Sequence, residues 1–201
     1  MDLTTRFKVN GVNIEEYLVK RMDLRIHRLY TWGNNTAGRL ANNSLSYRSV
    51  PAQVSGGGTD WHILAAGLGA IKADGSLWVW GNTGYGSLGD GTVIQRSSPI
   101  QLGTETLWTD YETATHTLAI RENGSLWSCG KNNYGQLGSN STVYRSSLVQ
   151  VSSSGWKSVS VGLEHSMAVK TDGTLWGAGL NNYGQLGLNH ITNRSIFTQI
   201  P

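Results

Sequence analysis

Short stretches of alternating apolar and polar residues recur along the chain and predict β-strands. WKSVSV at 156–161 alternates in this way, and LWSCG at 126–130 is a short apolar run that ends in glycine. Asp-Gly or Asn-Gly pairs stand between such runs, at residues 74–75, 123–124 and 172–173. These dipeptides accept the positive backbone angles of a two-residue turn. The pattern therefore predicts short antiparallel strands joined by tight turns.

One heptapeptide, NNYGQLG, occurs at residues 132–138 and again at 181–187, 49 positions later. Related versions occur at 83–89 (TGYGSLG) and 35–41 (NTAGRLA). The surrounding positions repeat with the same spacing, since each copy has a Leu-aromatic pair before the glycines and an Arg-Ser pair after them. Self-similarity at a fixed period of this length indicates a structural repeat that stacks on its own copies.

The repeat divides the chain into three full copies, at 29–76, 77–125 and 126–174, and a partial copy at 175–201. Each full copy holds four short apolar runs, which predicts the blades of an all-β propeller, with the Trp and Leu residues packed between neighbouring sheets. Burial of each large aromatic would contribute a few kcal/mol, on the order of 2–3. The first copy is shorter near WHILAAGLGAIKADG, so we expect its blade to be distorted.

Three phrases of this sequence, LWVWGNTGYGSLGDGTVIQRSSPIQL, the repeated NNYGQLG and VGLEHSMAVKTDG, resemble the regulator of chromosome condensation repeat family. The resemblance covers residues 29–201. It implies a propeller, which in that family typically has seven blades. It also implies a protein partner, because some members act in nucleotide exchange or in protein inhibition.

Residues 1–28 lie outside the repeat. FKVNGVNI predicts a small hairpin around Asn10-Gly11, and Asn13 with Glu16 predicts the capped start of a helix, although residues 22–26 also alternate as a strand would. The stretch FKVNGVNIEEYLVKR resembles short N-terminal segments of tailed-bacteriophage structural proteins. That resemblance implies an attachment segment. Its candidate contact residues are Phe7, Val9, Ile14, Tyr17 and Leu18.

Composition narrows the function classes. The chain has 201 residues, of which 14% are charged, and a net charge of +3 with no basic block, so a nucleic-acid partner is not expected. The N-terminus lacks the apolar run of a secretory signal, and no stretch approaches a membrane span. The single cysteine, Cys129, takes the place of a repeat Trp and is predicted to be a buried core thiol.

The sequence does not indicate an active site. His116 and His165 share one repeat position, which makes them parts of the blade rather than a metal pair. No nucleophile elbow is present, and the glycine motif lacks the Lys-Ser/Thr of a phosphate loop. We therefore expect a protein that is not an enzyme and that binds neither a metal nor a cofactor.

One arginine recurs after the glycine motif in every copy, and all copies should place it on one face of the ring. Tyr47 and Tyr144 precede two of these arginines and offer flat surfaces for sugars or apolar patches. One hypothesis is a rim that binds anions or glycans, because a guanidinium forms paired hydrogen bonds with such groups. The other is a scaffold in which each arginine bonds to carbonyls of its own blade. The series consists of Arg48, Arg96, Arg145 and Arg194.

The last copy stops after its Gln-Ile strand, which would leave an apolar sheet face open. The chain could be part of a longer protein, pack on a partner, or pair with a second chain so that twice three and a half copies make seven. We favour self-association or a partner.

The leading functional hypothesis is a virion protein of a tailed phage, such as a tail fibre, adhesin or decoration protein. It would bind a neighbouring virion protein or a host surface glycan or protein. The alternative is a cytoplasmic propeller regulator of a protein partner.

Overall fold

The computed structural model of this protein describes residues 8–9, 12–13, 28–56, 58–65 and 68–201. Within these residues there are strands and turns and no helix, and hence no helix that could cross a membrane. Strands β1 (Lys8–Val9) and β2 (Val12–Asn13) pair antiparallel, which agrees with the predicted hairpin.

The predicted helix after Asn13 falls outside the described residues. The same is true of four of the five predicted attachment residues, and of the fifth, Val9, the structure describes the backbone. The attachment role therefore stays a prediction. The four residues are Phe7, Ile14, Tyr17 and Leu18.

The repeats form one two-stranded sheet and three four-stranded antiparallel sheets, in the orders β3-β4, β5-β6-β7-β8, β9-β10-β11-β12 and β13-β14-β15-β16. The predicted all-β blade architecture is confirmed. The strands are β3 (Tyr30–Gly33), β4 (Arg48–Gln53), β5 (Trp61–Ala65), β6 (Gly69–Lys72), β7 (Leu77–Gly81), β8 (Arg96–Gln101), β9 (Trp108–Thr113), β10 (His116–Arg121), β11 (Leu126–Gly130), β12 (Arg145–Ser152), β13 (Trp156–Val161), β14 (His165–Lys170), β15 (Leu175–Gly179) and β16 (Arg194–Gln199).

The sheets are offset from the sequence repeat by two strands. The copy at 126–174 gives β11 and β12 to one sheet and β13 and β14 to the next. Among the described residues the incomplete sheet is therefore β3-β4, which has no inner strand pair, while the sheet β13-β14-β15-β16 has all four strands. Two chains would therefore contribute six complete sheets and two outer strand pairs, and the pairing of two chains to make seven sheets stays a prediction.

Large aromatics pack between neighbouring sheets, as predicted. Trp61, Trp108 and Trp156, at the starts of the inner strands, are at most 5% exposed. Trp108 and Tyr111 pack against Leu77 of the preceding sheet in one continuous cluster, and equivalent clusters fill the other two junctions. The sheets therefore share their cores, and no four-stranded sheet buries its apolar residues alone.

Cys129 is fully buried in this packing, and its thiol donates a weak hydrogen bond to the Ser87 carbonyl. Burial raises the pKa of the thiol to about 12. The predicted core role of this cysteine is confirmed. The shorter first copy still forms the paired strands β5 and β6, with Ala65 opposite Gly69.

Each junction is closed by the glycine at the fourth position of the heptapeptide. Gly86 has a φ of 76°, and a Cβ at this position would lie 2.5 Å from the Cα of Ser146 in the next sheet. The N–H of Gly91, further along the same loop, donates to the Ser146 carbonyl. Gly38 approaches Ser97 and Gly135 approaches Ser195 in the same way. The heptapeptide is repeated because every junction needs one glycine at this close approach.

Candidate functional site

The long loops between the third and fourth strands lie on one side of the sheets, which we call the loop face. It comprises residues 34–47, 82–95, 131–144 and 180–193, with the inner turns at 114–115 and 162–164. The opposite side, which we call the turn face, comprises the turns at 73–76, 122–125 and 171–174 and the connections between sheets.

The four predicted arginines occupy one structural position on the loop face. Each begins the last strand of its sheet, opposite the glycine that ends the strand before it. The pairs are Gly33 with Arg48, Gly81 with Arg96, Gly130 with Arg145 and Gly179 with Arg194.

Their surroundings differ from copy to copy. Arg96 donates from Nε and Nη2 to the same oxygen of Asp90, at 2.9 and 2.5 Å. Burial would raise the pKa of Asp90, but the hydrogen bonds from Arg96 and Thr92 hold it below its usual value. Arg194 lies 2.7 Å from Nε2 of His190. Two arginines are therefore held by side chains of their own loops rather than by carbonyls.

Arg48 and Arg145 are exposed, and neither has a side-chain hydrogen bond or ion pair with another described residue. Tyr47, beside Arg48, is 66% exposed. These side chains are available to a ligand, and the binding rim stays a prediction.

A cluster of side chains joins three sheets on the loop face. Tyr144 packs edge-on against Tyr85, with ring centroids 5.5 Å apart, and its hydroxyl donates to Asn133. Lys131 stands 5.5 Å from the Tyr85 ring and 2.6 Å from a carboxylate oxygen of Glu164. The bond to Glu164 raises the pKa of Lys131. Tyr85 was not predicted from the sequence, although its position recurs as the Tyr of NNYGQLG.

An exposed apolar residue stands two or three positions before the arginine in every long loop, and no sequence motif had predicted it. These side chains are 50–66% exposed. A single exposed apolar residue needs no explanation, but an exposed apolar residue two or three positions before the arginine in all four copies is typical of a contact surface. We call these residues the apolar row. They are Leu45, Val93, Ile94, Val143 and Ile191.

An open cavity of about 750 Å³ lies at the inner side of the loop face, and all four sheets contribute to it. Trp32 and Arg39 come from the first sheet, Asn82 and Tyr85 from the second, Thr115 from the third and Leu163 from the fourth. No Asp or Glu is among the residues that line it. We call it the axial cavity.

His116 is buried between sheets and has a structural role, as predicted. Its Nε2 lies 2.7 Å from the Ser166 hydroxyl, which itself donates to the Gln136 carbonyl at 2.7 Å. Ser166 must therefore accept the proton of Nε2. Burial lowers the pKa of His116 to about 3. Within the part of the chain that the structure describes, no group of three or more His, Cys, Asp or Glu side chains could hold a metal ion.

The stacked four-stranded sheets with a shared axial face are the blades of a β-propeller. Two models of the regulator of chromosome condensation (RCC1) repeat match the sequence, one at residues 27–70 and 123–169 and the other at 156–185. The chain belongs to this repeat family. No curated protein sequence matches it.

Solved propellers share the fold. Human WBSCR16 is 19% identical, with a TM-score of 0.70 over 88% of this chain and 49% of its own. Yeast RCC1 (Prp20), solved with Kap60, is 20% identical, with a TM-score of 0.76 over 87% and 45%. Prp20p from Saccharomyces cerevisiae, described with its binding to Gsp1p and histones, is 20% identical, with a TM-score of 0.71 over 87% and 46%. The chain spans about half the length of these proteins.

Proposed function

We propose that this protein is a non-enzymatic binding module whose loop face holds another protein. The apolar row carries the proposal, because a rigid scaffold presents it on loops and repeats it in every copy. Exposed cations, Arg48 and Arg145, flank it, so a partner surface with apolar patches and carboxylates would fit. The yeast relative was solved with the protein Kap60 and was studied with Gsp1p and histones, which supports a protein as the ligand.

A more specific proposal concerns where this protein works, on a phage particle or in the cytoplasm. A virion protein of a tailed phage, such as a tail fibre or decoration protein, is supported by the resemblance of the N-terminal segment to phage structural proteins. A cytoplasmic regulator of a protein partner is equally compatible with the fold. Genes for capsid or tail proteins beside this gene, and co-sedimentation of the chain with particles, would favour the virion. Co-purification with a small GTPase would favour the regulator.

Self-association is the second candidate, because the described residues leave β4 largely exposed and give the 180–193 loop no neighbouring strand to bind. Asn189 has the same left-handed backbone as Asn140, which donates its N–H to Ser195 across a junction. Among the described residues the Asn189 N–H has no backbone acceptor, and a Cβ on Gly184 would meet nothing within 4 Å. Ser49 on β4 stands at the repeat position of the acceptor. The loop of one copy could therefore dock on β4 of another.

The loop face is tested by placing charge on the apolar row. The double substitution Val93→Asp with Ile94→Asp should weaken capture of a protein partner by tenfold or more, because a carboxylate in a desolvated contact costs a few kcal/mol, on the order of 2. Leu107→Asp is the matched control, since Leu107 is 58% exposed on the turn face. Equal capture by the double variant and the control would refute the loop face as the binding surface.

Self-association is tested by sedimentation of the 21.8 kDa chain. Ser49→Trp should block one half of the junction and Asn189→Pro the other, because proline has no N–H to donate. Each variant should be monomeric alone, and the two should form a two-chain complex when mixed, since each retains the half that the other lacks. A monomeric parent chain would exclude this candidate and leave the loop-face proposal untouched.

A further inference from the structure

The axial cavity combines exposed aromatic faces with free polar groups. Trp32 is 61% exposed and Tyr85 is 43% exposed. Trp80, at the repeat position of Trp32, is 1% exposed, because its Nε1 donates to the Arg39 carbonyl and its ring meets Trp61 edge-on at 6.0 Å. Trp32 has no such bond or ring contact among the described residues, so a ligand can reach its ring face and its indole N–H.

Two asparagines at the cavity keep their amide N–H groups free. The Oδ1 of Asn34 accepts hydrogen bonds from Thr36, and the Oδ1 of Asn82 accepts from the N–H of Gly84. Each carbonyl oxygen is therefore used to hold its own loop, and the geometry of that loop fixes the side chain. The two Nδ2 groups have no partner among the described residues, which leaves hydrogen-bond donors for hydroxyl oxygens.

The cavity also carries an unpaired positive charge. Arg39 is exposed, and its guanidinium has no ion pair or hydrogen bond with another described residue. The nearby cation Lys131 is already paired with Glu164 at 2.6 Å. No carboxylate lines the cavity to neutralise Arg39. A guanidinium in such a place favours a carboxylate, which it binds through two parallel hydrogen bonds.

We propose that the axial cavity binds a sugar acid, with the apolar face of the sugar ring on Trp32 or Tyr85, the hydroxyls on Asn34 and Asn82, and the carboxylate on Arg39. A volume of about 750 Å³ is within the range of small-ligand sites and is sufficient for a short oligosaccharide. The aromatic rings suit the apolar face of a sugar, the fixed amides suit its hydroxyls, and the cation suits a carboxylate. This site is separate from the apolar row, so it does not depend on the protein partner proposed above.

The test compares two probes that differ only at the sixth carbon, methyl β-glucuronide with a carboxylate and methyl β-glucoside with a hydroxymethyl group. Binding to the whole chain is followed by the NMR signal of the Trp32 indole N–H, assigned with Trp32→Phe. The glucuronide should bind about tenfold more tightly than the glucoside, which corresponds to one charge-assisted contact. Arg39→Gln should remove this preference, and Trp32→Ala should weaken both probes.

Lys157→Gln is the control, because Lys157 is an exposed cation outside both the cavity and the predicted arginine rim. It should change neither affinity, and neither should the Val93→Asp, Ile94→Asp double variant. Equal affinity for the two probes, or an unchanged preference in Arg39→Gln, would overturn the proposal. Saturable binding of a short acidic peptide with no response to the glucuronide would also overturn it.

Discussion

His116 and Ser166 belong to neighbouring blades and are joined across the junction by a hydrogen bond of 2.7 Å between Nε2 and Oγ. The proton of Nε2 is used in this bond, and Nδ1 has no partner among the described residues. A second proton would have to be placed on Nδ1, inside the protein and away from water. The link between the two blades therefore depends on a neutral imidazole.

This dependence predicts a loss of stability in acid. The folded-state pKa of His116 is about 3, below the ordinary value of 6.5, so the unfolded chain takes up the proton first as the pH falls. The contribution of the neutral His116 to the free energy of unfolding is complete above pH 6.5. It declines as the pH falls towards 3, by up to about 1.4 kcal/mol per pH unit. Urea unfolding at several pH values should show a shallower acid slope in His116→Gln than in the parent chain. Equal slopes would contradict the assignment.

A cation between two indoles in each complete blade gives a second prediction. The guanidinium of Arg121 lies 4.6 Å from the Trp108 ring and 4.3 Å from the Trp127 ring. Arg121→Ala should lower the free energy of unfolding by about 1–2 kcal/mol, because both cation–π contacts and the packing of the stem are lost.

The conservative change at the same position is the control. Lysines fill this position in the other two complete blades, where Lys72 and Lys170 also contact two indoles each. Arg121→Lys should therefore retain most of the stability in the same unfolding measurement. A lysine variant as unstable as the alanine variant would show that the positive charge over the rings contributes little.

Three of the four described copies of the heptapeptide begin with a buried asparagine, and the second copy has a threonine there. This difference gives a third prediction. Asn132 accepts from the Leu137 N–H and donates to the carbonyls of Ser141 and Val143, and Asn35 and Asn181 do the same in their loops. Thr83 holds this position in the second copy, and its buried hydroxyl has no partner. Thr83→Asn should raise the free energy of unfolding by about 1–2 kcal/mol, since it satisfies the loop.

The reverse exchange, Asn132→Thr, should lower the free energy of unfolding by at least as much. Both variants can be compared with the parent chain in one denaturant series. A destabilised Thr83→Asn would mean that the second loop has no room for the amide.

The sequence predicted the blades because strand pattern, turn dipeptides and repeat length are local properties. It did not predict where along the repeat one sheet ends and the next begins. Whether β12 pairs with β11 or with β13 is decided by the packing of whole sheets, and a period of 49 residues is compatible with both pairings.

The site was predicted less well than the fold, for a related reason. The shared position of Arg96 and Arg145 follows from the repeat, but their contacts depend on side chains that are not repeated. Asp90 binds Arg96, whereas Ser139 stands at the equivalent position near Arg145. The axial cavity brings together residues from four blades, from Trp32 to Leu163, and no local pattern indicates it.

The central claim is that the heptapeptide glycine exists to join one blade to the next. Gly86 and Gly184 test it as a matched pair, because both have a φ of 76° and stand at the same repeat position. A Cβ on Gly86 would meet the backbone of Ser146 at 2.5 Å, whereas a Cβ on Gly184 would meet nothing within 4 Å.

The most direct measurement is the free energy of unfolding of Gly86→Ala and Gly184→Ala. In Gly184→Ala the free energy of unfolding should fall only by the cost of a left-handed alanine, about 1–2 kcal/mol. In Gly86→Ala it should fall by several kcal/mol, at least about 3, because the junction between the blades must also open. Equal losses in the two variants would contradict the claim that this glycine joins the blades.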